Sequence, residues 1–371
     1  MFHFSFHSKL GMQKVVRQVA GIDVAQKELV VCLGRMHENL HTELYASSVF
    51  ANTQKGFLAL YQWVSKQSQG EAAVRYVMEA TGVYHEAFAY FLADQQALVS
   101  IVLPNKISNY ARSLTIKTVT DKTASQAITQ FGLERTLDNW QPPLAIYRKL
   151  KQLTREREQI VEERTVVKNQ LHAEQVEALP GQTSISRMQK RIKLLDQQDK
   201  EIIAELKTLI KAEPQICELV VLLCSLPGVG LLTAAIVLGE TKGFDLIKNR
   251  RQLVSFAGLD VIEKQSGTSI KGKPRISKKG NRYLRKAMHL PALTAIRHDE
   301  RFKAIYARLI GKHGIKMKAA VAIQRKLLEL MFTVYKTNKK YDKAYFTNQI
   351  QVAEEQKLLQ KSEAVINETA S

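Results

Sequence analysis

Hydrophobic and polar positions alternate in a pattern that divides the chain into three regions. Within residues 15–146 the pattern predicts three successive strands and then alternating helices and strands, in segments 17–24, 28–35, 41–50, 56–67, 73–80, 86–95, 98–104 and 121–132. Three adjacent strands followed by strand–helix alternation indicate a mixed sheet covered by helices. This order predicts an α/β RNase H-like domain over residues 15–146.

The second region, residues 147–215, is charged and has apolar positions at helical spacing. Two series of apolar residues are spaced seven apart, Leu153, Ile160 and Val167 in the first and Leu195, Ile202 and Leu209 in the second. The segment LPGQTS at 179–184 interrupts the helical pattern between them. We therefore predict an antiparallel helical hairpin or coiled coil.

The third region, residues 216–345, predicts a mainly α-helical domain that includes a long amphipathic helix near 315–336. Its segment LPGVG, at 226–230, separates two apolar helical stretches, which is typical of a helix-hairpin-helix. Gly228 and Gly230 permit a tight turn, and the amides that follow could bind a phosphate. An ordinary helix connection is the simpler alternative. The polar tail, residues 346–371, is predicted to be disordered.

Composition and charge narrow the class of protein. The 371 residues carry a formal net charge of +20, which favours a polyanionic partner, nucleic acid above all. The cysteines lack CxxC spacing, which argues against a zinc site or a disulfide framework and favours a reducing compartment. The sequence shows neither a membrane-spanning stretch nor a signal-peptide pattern, so we expect a cytoplasmic protein.

Acidic residues follow or end predicted strands of the first region. Asp23 lies in GID at the end of the opening strand, Glu79 lies in VMEATG at the end of a later strand, and Asp121 begins a predicted helix. Taken singly, each acid is consistent with a turn or a helix cap. Together, at strand ends of one sheet, they match the oxygen ligands that Mg²⁺ or Mn²⁺ requires for phosphodiester cleavage.

A run of basic residues in the third region is the second chemical signal. Residues 271–286, KGKPRISKKGNRYLRK, contain eight Lys or Arg and no acid. Such runs usually form a solvated face. The single sign of charge and the glycines favour a strip that binds nucleic-acid backbone. The residues predicted to contact phosphates are Lys271, Lys273, Arg275, Lys278, Lys279, Arg282 and Arg285.

Two serines lie just before this strip. Ser266 precedes Gly267 in a polar segment, and Ser269 follows closely. A serine hydroxyl beside phosphate-binding cations could attack phosphorus, whereas SG alone is an ordinary turn signal. The residue types by themselves leave both serines as candidates.

Several motifs, in this order, resemble the DEDD-type transposases of the bacterial insertion-sequence family that includes Piv-like DNA invertases. They are GIDVAQKEL, VMEATGVYHEAFAYFL, TDKTASQAI, LPGVGLLTAAIVLGE, FAGLD, QSG and RISKKGNRYLRKA, across about residues 19–300. The resemblance implies a RuvC-like N-terminal domain and a distinct C-terminal transposase domain. It also implies recombination guided by a structured non-coding RNA, called bridge or seeker RNA, that pairs with donor and target DNA.

The resemblance further implies a composite active site, with metal-binding acids from one subunit and a serine nucleophile from another. The family's four acids correspond to Asp23, Glu79, Asp121 and position 124, where this chain has Ala124, and the family's serine corresponds to Ser266. Ala124 marks either an inactive natural copy or a deliberately replaced aspartate, and the intact surrounding motif favours replacement. The implied assembly is a homodimer that forms tetramers, associated with the nucleoid when active.

The sequence thus predicts an RNA-guided DNA recombinase that works through a covalent phosphoserine intermediate and is impaired at Ala124. Two alternatives stay open. One is a junction-resolving nuclease that uses the same acids and metal with water as nucleophile. The other is a non-catalytic nucleic-acid-binding protein, an alternative that Ala124 keeps open for this chain.

Overall fold

The structure is a computed structural model that describes residues 14–68, 72–80, 82–114, 118, 120–245, 247–263, 265–266, 270–272 and 274–344. The predicted disordered tail and two of the predicted site residues, Lys273 and Ser269, lie outside these ranges. For Ser266 and Lys271 the structure describes the backbone and not the side chain. The chain divides into two compact units between Pro142 and Pro143.

The first unit is a five-stranded sheet with helices. Its strands have the order β3-β2-β1-β4-β5, in which β1, β2 and β3 are antiparallel neighbours and β4 lies parallel to both β1 and β5. This topology confirms the predicted α/β RNase H-like domain. The strands are β1 (Val15–Val24), β2 (Glu28–His37), β3 (Thr42–Ala51), β4 (Val74–Glu79) and β5 (Leu98–Val102), and the helices are α1 (Gln54–Gln67), α2 (Glu86–Asp94), α3 (Pro104–Ser113) and α4 (Asp121–Glu134).

Alternation along β1 and β4 assigns their side chains to two faces of this sheet. Ala20, Ile22 and Met78 belong to the apolar cluster that contains the buried residues of α1 and α2. Val19 and Val77 belong to a second cluster that contains buried residues of α3 and α4. Successive strand residues point to opposite faces, so the odd-numbered residues of β1 and β4 face α4.

Glycines allow α4 to lie close to the sheet. A Cβ atom added to Gly21 of β1 would lie 2.3 Å from Thr129 Oγ1 of α4, and one added to Gly132 of α4 would lie 2.8 Å from Val19 Cγ1. The Thr129 hydroxyl also donates a hydrogen bond to the main-chain carbonyl of Cys32, at 3.0 Å. These contacts fix the position of α4 against β1 and β2.

The second unit begins with the predicted helical hairpin. Helix α5 (Ala145–Val176) and helix α6 (Gln182–Ala212) are joined across the interrupted segment. Arg157 pairs with Asp199 at 2.8 Å, and Arg164 pairs with Asp196 at 2.7 Å. Residue numbers rise along α5 as their partners' numbers fall along α6, so the two helices run antiparallel. The hairpin prediction is confirmed.

The rest of the second unit is mainly helical, as predicted. Its core includes Leu150 and Leu153 from the start of α5, so the base of the hairpin is part of this unit. No helix among the described residues has the length and apolar character needed to cross a membrane. The helices are α7 (Pro214–Leu223), α8 (Leu231–Thr241), α9 (Arg250–Phe256), α10 (Arg282–Ala287), α11 (His289–His298), α12 (Glu300–His313) and α13 (Lys316–Thr337).

Short strands that the sequence pattern did not predict form a β-ribbon in this unit. They are β6 (Val261–Ile262), β7 (Gln265–Ser266), β8 (Ile270–Lys271) and β9 (Arg275–Ile276). Val261 pairs with Ile276 at one end, and Ser266 pairs with Ile270 at the other. The two antiparallel pairs are separate two-stranded sheets that are nested along the chain, with β7–β8 inside β6–β9. The two pairs together are called the β-ribbon, and β6–β9 is its base.

A buried carboxylate joins three parts of the second unit. The side chain of Glu240, on α8, is 2% exposed and accepts hydrogen bonds from Arg155 Nε at 2.7 Å and Arg155 Nη2 at 2.9 Å. Asn281 Nδ2 donates to the same carboxylate at 2.6 Å, while Asn281 Oδ1 caps the start of α10. Glu240 therefore connects α5 and α8 to Asn281, the N-cap residue of α10.

Candidate functional site

The sheet brings two of the predicted acids together. Ile22 of β1 pairs with Met78 of β4 in parallel register, so the residues that follow, Asp23 and Glu79, are neighbours where the two strands end. Both residues are odd-numbered and therefore lie on the sheet face that α4 covers. Their carboxylates thus share one edge and one face of the sheet.

The third acid enters from α4. Thr120 caps this helix and forms a capping box with Thr123, and Asp121 is the first helical residue. This cap explains why the helix begins where it does, and the positive end of the helix dipole favours a carboxylate there. Ala124 lies one turn further along α4, where its amide donates to the Thr120 carbonyl at 2.8 Å.

The electrostatics of Asp23 show that the three acids converge. Partial burial, and after it the negative charges of Asp121 and Glu79, together raise the pKa of Asp23 from 3.8 to about 6. A hydrogen bond with the backbone of Val24 acts in the opposite direction. Repulsion among carboxylates of this kind is relieved by a bound cation.

The donor set fits a divalent metal in its chemistry. Hard cations such as Mg²⁺ prefer carboxylate oxygens, which all three acids supply. Among the described residues, no group of three or more His, Cys, Asp or Glu side chains is arranged tightly enough to hold an ion. Ala124 lies one helical turn from Asp121 on α4, at the position where the family resemblance implies a fourth acid.

The two glycines of the LPGVG segment differ in environment. Gly228 has a positive φ of 78°, and an added Cβ would lie 2.5 Å from the Pro291 carbonyl oxygen of α11. Gly230 is the N-cap of α8, receives no side-chain cap, and has open space where a Cβ would be. Gly228 is therefore required for a turn packed against α11, whereas Gly230 lies where the α8 amides begin.

The described part of the basic strip divides into exposed and internally bonded residues. Arg275, Lys278 and Lys279 are exposed. Lys278 has a φ of 54°, which is uncommon for a residue with a side chain, and its amide donates to the Gly258 carbonyl at 3.1 Å. This turn holds two adjacent lysines at the surface.

Other basic residues of the strip have partners within the protein. Arg285 Nη1 donates to the carbonyls of Ala257 at 2.8 Å and Gly280 at 3.1 Å, so its guanidinium braces the turn. We therefore leave Arg285 out of the proposed phosphate contacts. Arg282, in contrast, is exposed and lies over the ring of Tyr283 at 5.0 Å.

Two acids on α5 partly neutralise the strip. Glu158 and Glu162 pair with Lys286, the second at 3.5 Å, and Glu162 lies 3.9 Å from Arg282. The bond with Glu158 is the largest influence that raises the pKa of Lys286. Sequence reasoning missed these partners because more than 100 residues separate them from the strip. The one signal in the sequence was the spacing of Glu158 and Glu162, four residues apart, which predicts that they lie on the same face of α5.

Ser266 lies in a strand of the β-ribbon, β7, whereas its SG sequence alone indicated a turn. Its backbone is extended in β7 and pairs with Ile270 of β8, and residues 267–269 join the two strands outside the described ranges. The candidate nucleophile is therefore carried near the tip of a ribbon whose base, β6–β9, lies among the helices of the second unit. The acids lie in the first unit.

Comparison with known protein families gives two matches in chain order. The model described as "Transposase IS116/IS110/IS902 family" matches residues 220–307. A second model, described as "Transposase" and of the IS110 DEDD type, matches residues 20–179. The first match contains the ribbon and the basic strip, and the second contains all three acids.

Individual relatives agree with these matches. The chain is 28% identical over 327 residues to the "Pilin gene-inverting protein" of Moraxella lacunata, covering 87% of this chain and 97% of that protein. It is 30% identical over 146 residues to an "Insertion element IS110 uncharacterized 43.6 kDa protein" of Streptomyces coelicolor, covering 39% of this chain and 35% of that protein.

Among solved structures, RuvC of Thermus thermophilus is similar to 33% of this chain over 99% of its own length, with 14% identity and a TM-score of 0.27. The fold assignment depends on the strand order described above and not on that superposition. Both family matches, the order of the motifs and the converging acids agree. The chain belongs to the IS110-type family of DEDD transposases.

Proposed function

We propose that this transposase is an RNA-guided DNA recombinase of an insertion sequence, which cuts and rejoins DNA through a covalent phosphoserine intermediate. The observation that carries the proposal is the convergence of Asp23, Glu79 and Asp121 at one edge of an RNase H-like sheet. Carboxylates gathered in this way are the chemical requirement for metal-assisted phosphodiester cleavage.

Asp23, Glu79 and Asp121 would hold the metal, Mg²⁺ or Mn²⁺. When bound, the ion would supply positive charge that stabilises the phosphate during substitution. The contribution of the protein is to hold the three carboxylates at one edge of the sheet, through the register of β1 with β4 and the cap of α4, although they are not yet arranged tightly enough for an ion. The raised pKa of Asp23 reflects first its partial burial and then the like charges of Asp121 and Glu79.

Ser266 would be the nucleophile. Its hydroxyl oxygen attacks the scissile phosphorus, a Ser266 Oγ–phosphorus bond forms, and the bond from phosphorus to one deoxyribose oxygen breaks. The hydroxyl proton ends on the departing deoxyribose oxygen. Reversal of the same exchange with a different strand end rejoins DNA and restores the serine, so no external energy source is needed. Following the family resemblance, the acids of one subunit act with the serine of another.

Donor and target DNA and a guide RNA are the proposed partners. A net charge of +20 supports binding to more than one nucleic-acid strand, and Lys278, Lys279 and Arg282 supply exposed cations for phosphates. Arg275 and the backbone amides that follow Gly230 are further phosphate contacts in this proposal, as are Lys271 and Lys273. The proposed assembly is a homodimer that forms a tetramer on the bacterial nucleoid.

Ala124 would impair this particular chain. Position 124 lies one helical turn from Asp121, so an aspartate there would reach the same edge of the sheet. With alanine, the metal loses one carboxylate, and we expect weaker binding and slow strand cleavage. RNA and DNA binding should be retained, because the basic residues of the second unit do not depend on this position.

A protein–DNA adduct distinguishes this proposal from a metal-dependent nuclease that uses water. With guide RNA, DNA and Mg²⁺, the Ala124→Asp protein should form an adduct that survives denaturing electrophoresis and disappears when Ser266→Ala is added. The matched control is Ser269→Ala, which removes a hydroxyl three residues further along the chain and should leave the adduct. Cleavage that persists without Ser266 would favour the nuclease. If the folded Ala124→Asp protein cleaves nothing and forms no adduct, the non-catalytic binding protein becomes the better description.

A further inference from the structure

A cleft in the second unit lies between the base of the β-ribbon and helices α5, α10, α11 and α13. Its volume is about 610 Å³, within the range of small-molecule sites. Its apolar lining includes Leu259, Ile276 of β9, Tyr283 and Leu290. Leu290 is 71% exposed and marks the open side. The cleft therefore combines an apolar wall with an entrance from solvent.

The cleft also contains a fixed polar pair. Gln324, 5% exposed, and His289 both line it, and Gln324 Nε2 donates a hydrogen bond to His289 Nδ1 at 3.0 Å. Since Nδ1 is the acceptor, a neutral His289 carries its proton on Nε2 and can donate from that nitrogen. The pair gives a flat ligand directional hydrogen-bonding groups beside an apolar wall.

Charges at the rim of the cleft leave a small positive excess, because three cations, Arg282, Arg285 and Lys286, line it together with two acids. Lys286 and Arg282 belong to the basic strip, and Glu158 and Glu162 pair with them from α5. Arg282 lies over the Tyr283 ring and is exposed, so its planar guanidinium can stack on a ligand or bind a phosphate. A cleft with this small positive excess suits a neutral, planar group that carries one phosphate better than it suits a cluster of phosphates.

From these features we infer that the cleft binds a single unpaired nucleotide, with its base between the apolar wall and the His289–Gln324 pair and its phosphate near Arg282. The inference rests on the proposed function, because it assumes that nucleic acid reaches this surface. A base within a duplex is stacked and paired and cannot enter such a cleft, whereas a single-stranded base can be splayed out and read on its edges.

The position of the cleft explains what such binding would accomplish. Ile276 is both a lining residue and part of the ribbon base, and Ser266 lies on the same ribbon near its tip. An extended strand rises about 3.3 Å per residue, so the base and the tip are separated by at most about 20 Å. A nucleotide held at the base would therefore position a nearby stretch of the same strand relative to the ribbon.

Leu290→Glu tests the inference, with Leu293→Glu as the matched control. Both residues are exposed on α11, and both substitutions add the same charge, but only Leu290 lines the cleft. The probes are a homopyrimidine single strand, in DNA and in RNA form, and a blunt DNA duplex of equal length. Leu290→Glu should weaken binding of a single strand by about fivefold or more relative to Leu293→Glu, because one base contact is lost. The two variants should bind the duplex equally.

The RNA and DNA strands separate the two sources of an unpaired nucleotide, since the larger loss identifies the strand that uses the cleft. Thermal unfolding confirms that both variants are folded. A second measurement uses the unsubstituted protein: ultraviolet cross-linking of a thiouracil-containing strand should label the peptide that contains Tyr283 or Leu290.

Equal affinities of the two variants for single strands, or cross-links confined to other peptides, would overturn the inference and leave the recombinase proposal standing. Failure of the unsubstituted protein to bind any of the three probes would instead overturn the proposed function, and the cleft inference with it.

Discussion

Gly21 of β1 and Thr129 of α4 are in such close contact that the sheet and the helix leave no room for a methyl group between them. An added Cβ at Gly21 would lie 2.3 Å from Thr129 Oγ1 and 2.4 Å from the Thr129 main-chain nitrogen. Because main-chain atoms are involved, a side-chain rotation cannot relieve the contact. The same helix begins with Asp121, and the same strand carries Asp23 two residues after Gly21.

Gly21→Ala should therefore separate α4 from the sheet and disturb the acids as well as the fold. We expect a loss of about 1–3 kcal/mol in the free energy of unfolding, typical of overpacking, measured by urea denaturation. Gly230→Ala is the control, since nothing lies within 4 Å of its added Cβ. Equal stability of the two variants would show that α4 does not rely on the glycine.

Ala124→Asp should restore the fourth carboxylate beside Asp121 and increase Mg²⁺-dependent strand cleavage in the presence of guide RNA. The second measurement, besides activity, is the melting temperature of Ala124→Asp. Added Mg²⁺ should raise it more than it raises the melting temperature of the parent protein, because an ion that binds only the folded state stabilises that state. Ala124→Asn has the same shape without the charge and should show neither effect. A response to Mg²⁺ that is unchanged in Ala124→Asp would mean that residue 124 is not a metal ligand.

Replacing Lys278, Lys279 and Arg282 together with Ala should make nucleic-acid affinity less sensitive to salt. Each phosphate contact contributes about 0.7–0.9 to the slope of log affinity against log salt, so the slope should become shallower by about 2–3. The matched control removes three exposed lysines of α6, Lys190, Lys193 and Lys200. If both triple variants change the slope equally, the effect belongs to total charge and not to the strip.

Asp23 should make the metal-free protein less stable as pH rises. Its folded-state pKa of about 6 lies above the ordinary 3.8, so the folded protein binds the proton more tightly than the unfolded chain does. The stability that protonation supplies is full below about pH 4 and is lost as pH rises through about 6. Asp23→Asn should therefore exceed the parent in unfolding free energy by on the order of 1–2 kcal/mol at about pH 8, and by little at about pH 4.

The measurement is urea unfolding in a metal chelator at a series of pH values. The exposed Asp94→Asn is the control for loss of one negative charge. A stability difference between Asp23→Asn and the parent that does not vary with pH would contradict the raised pKa of Asp23.

The pattern of hydrophobic and polar residues predicted the strands and the acids at their ends, because neighbouring residues determine both. Strand alternation and the turn residues gave the order of β1 to β5, and the strand ends gave Asp23 and Glu79 as neighbours. Helix α3 was missed because its polar sequence buries only Ile107 and Tyr110, too few positions to define a period. The ribbon was missed because each of its strands has two residues, so no alternation can be recognised.

Contacts between distant residues account for the remaining differences. The roles of Arg285 and Lys286 depend on carbonyls and carboxylates contributed by other elements, and Gly228 is explained by the carbonyl of Pro291. Such partners are set by the packing of helices and leave no spacing in the sequence. The cleft beside His289 could not be predicted from the sequence for the same reason, because its lining comes from five separate parts of the second unit.

The β-ribbon has a kinetic consequence for the proposed nucleophile. A serine on an irregular loop samples many orientations, and its local concentration at a phosphate is diluted accordingly. The backbone of Ser266 is instead aligned by pairing with Ile270, so the entropy of ordering it is already spent when the protein folds. Its effective molarity at the scissile phosphate would then depend on how the whole ribbon docks on DNA, which makes docking the step that commits the strand to exchange.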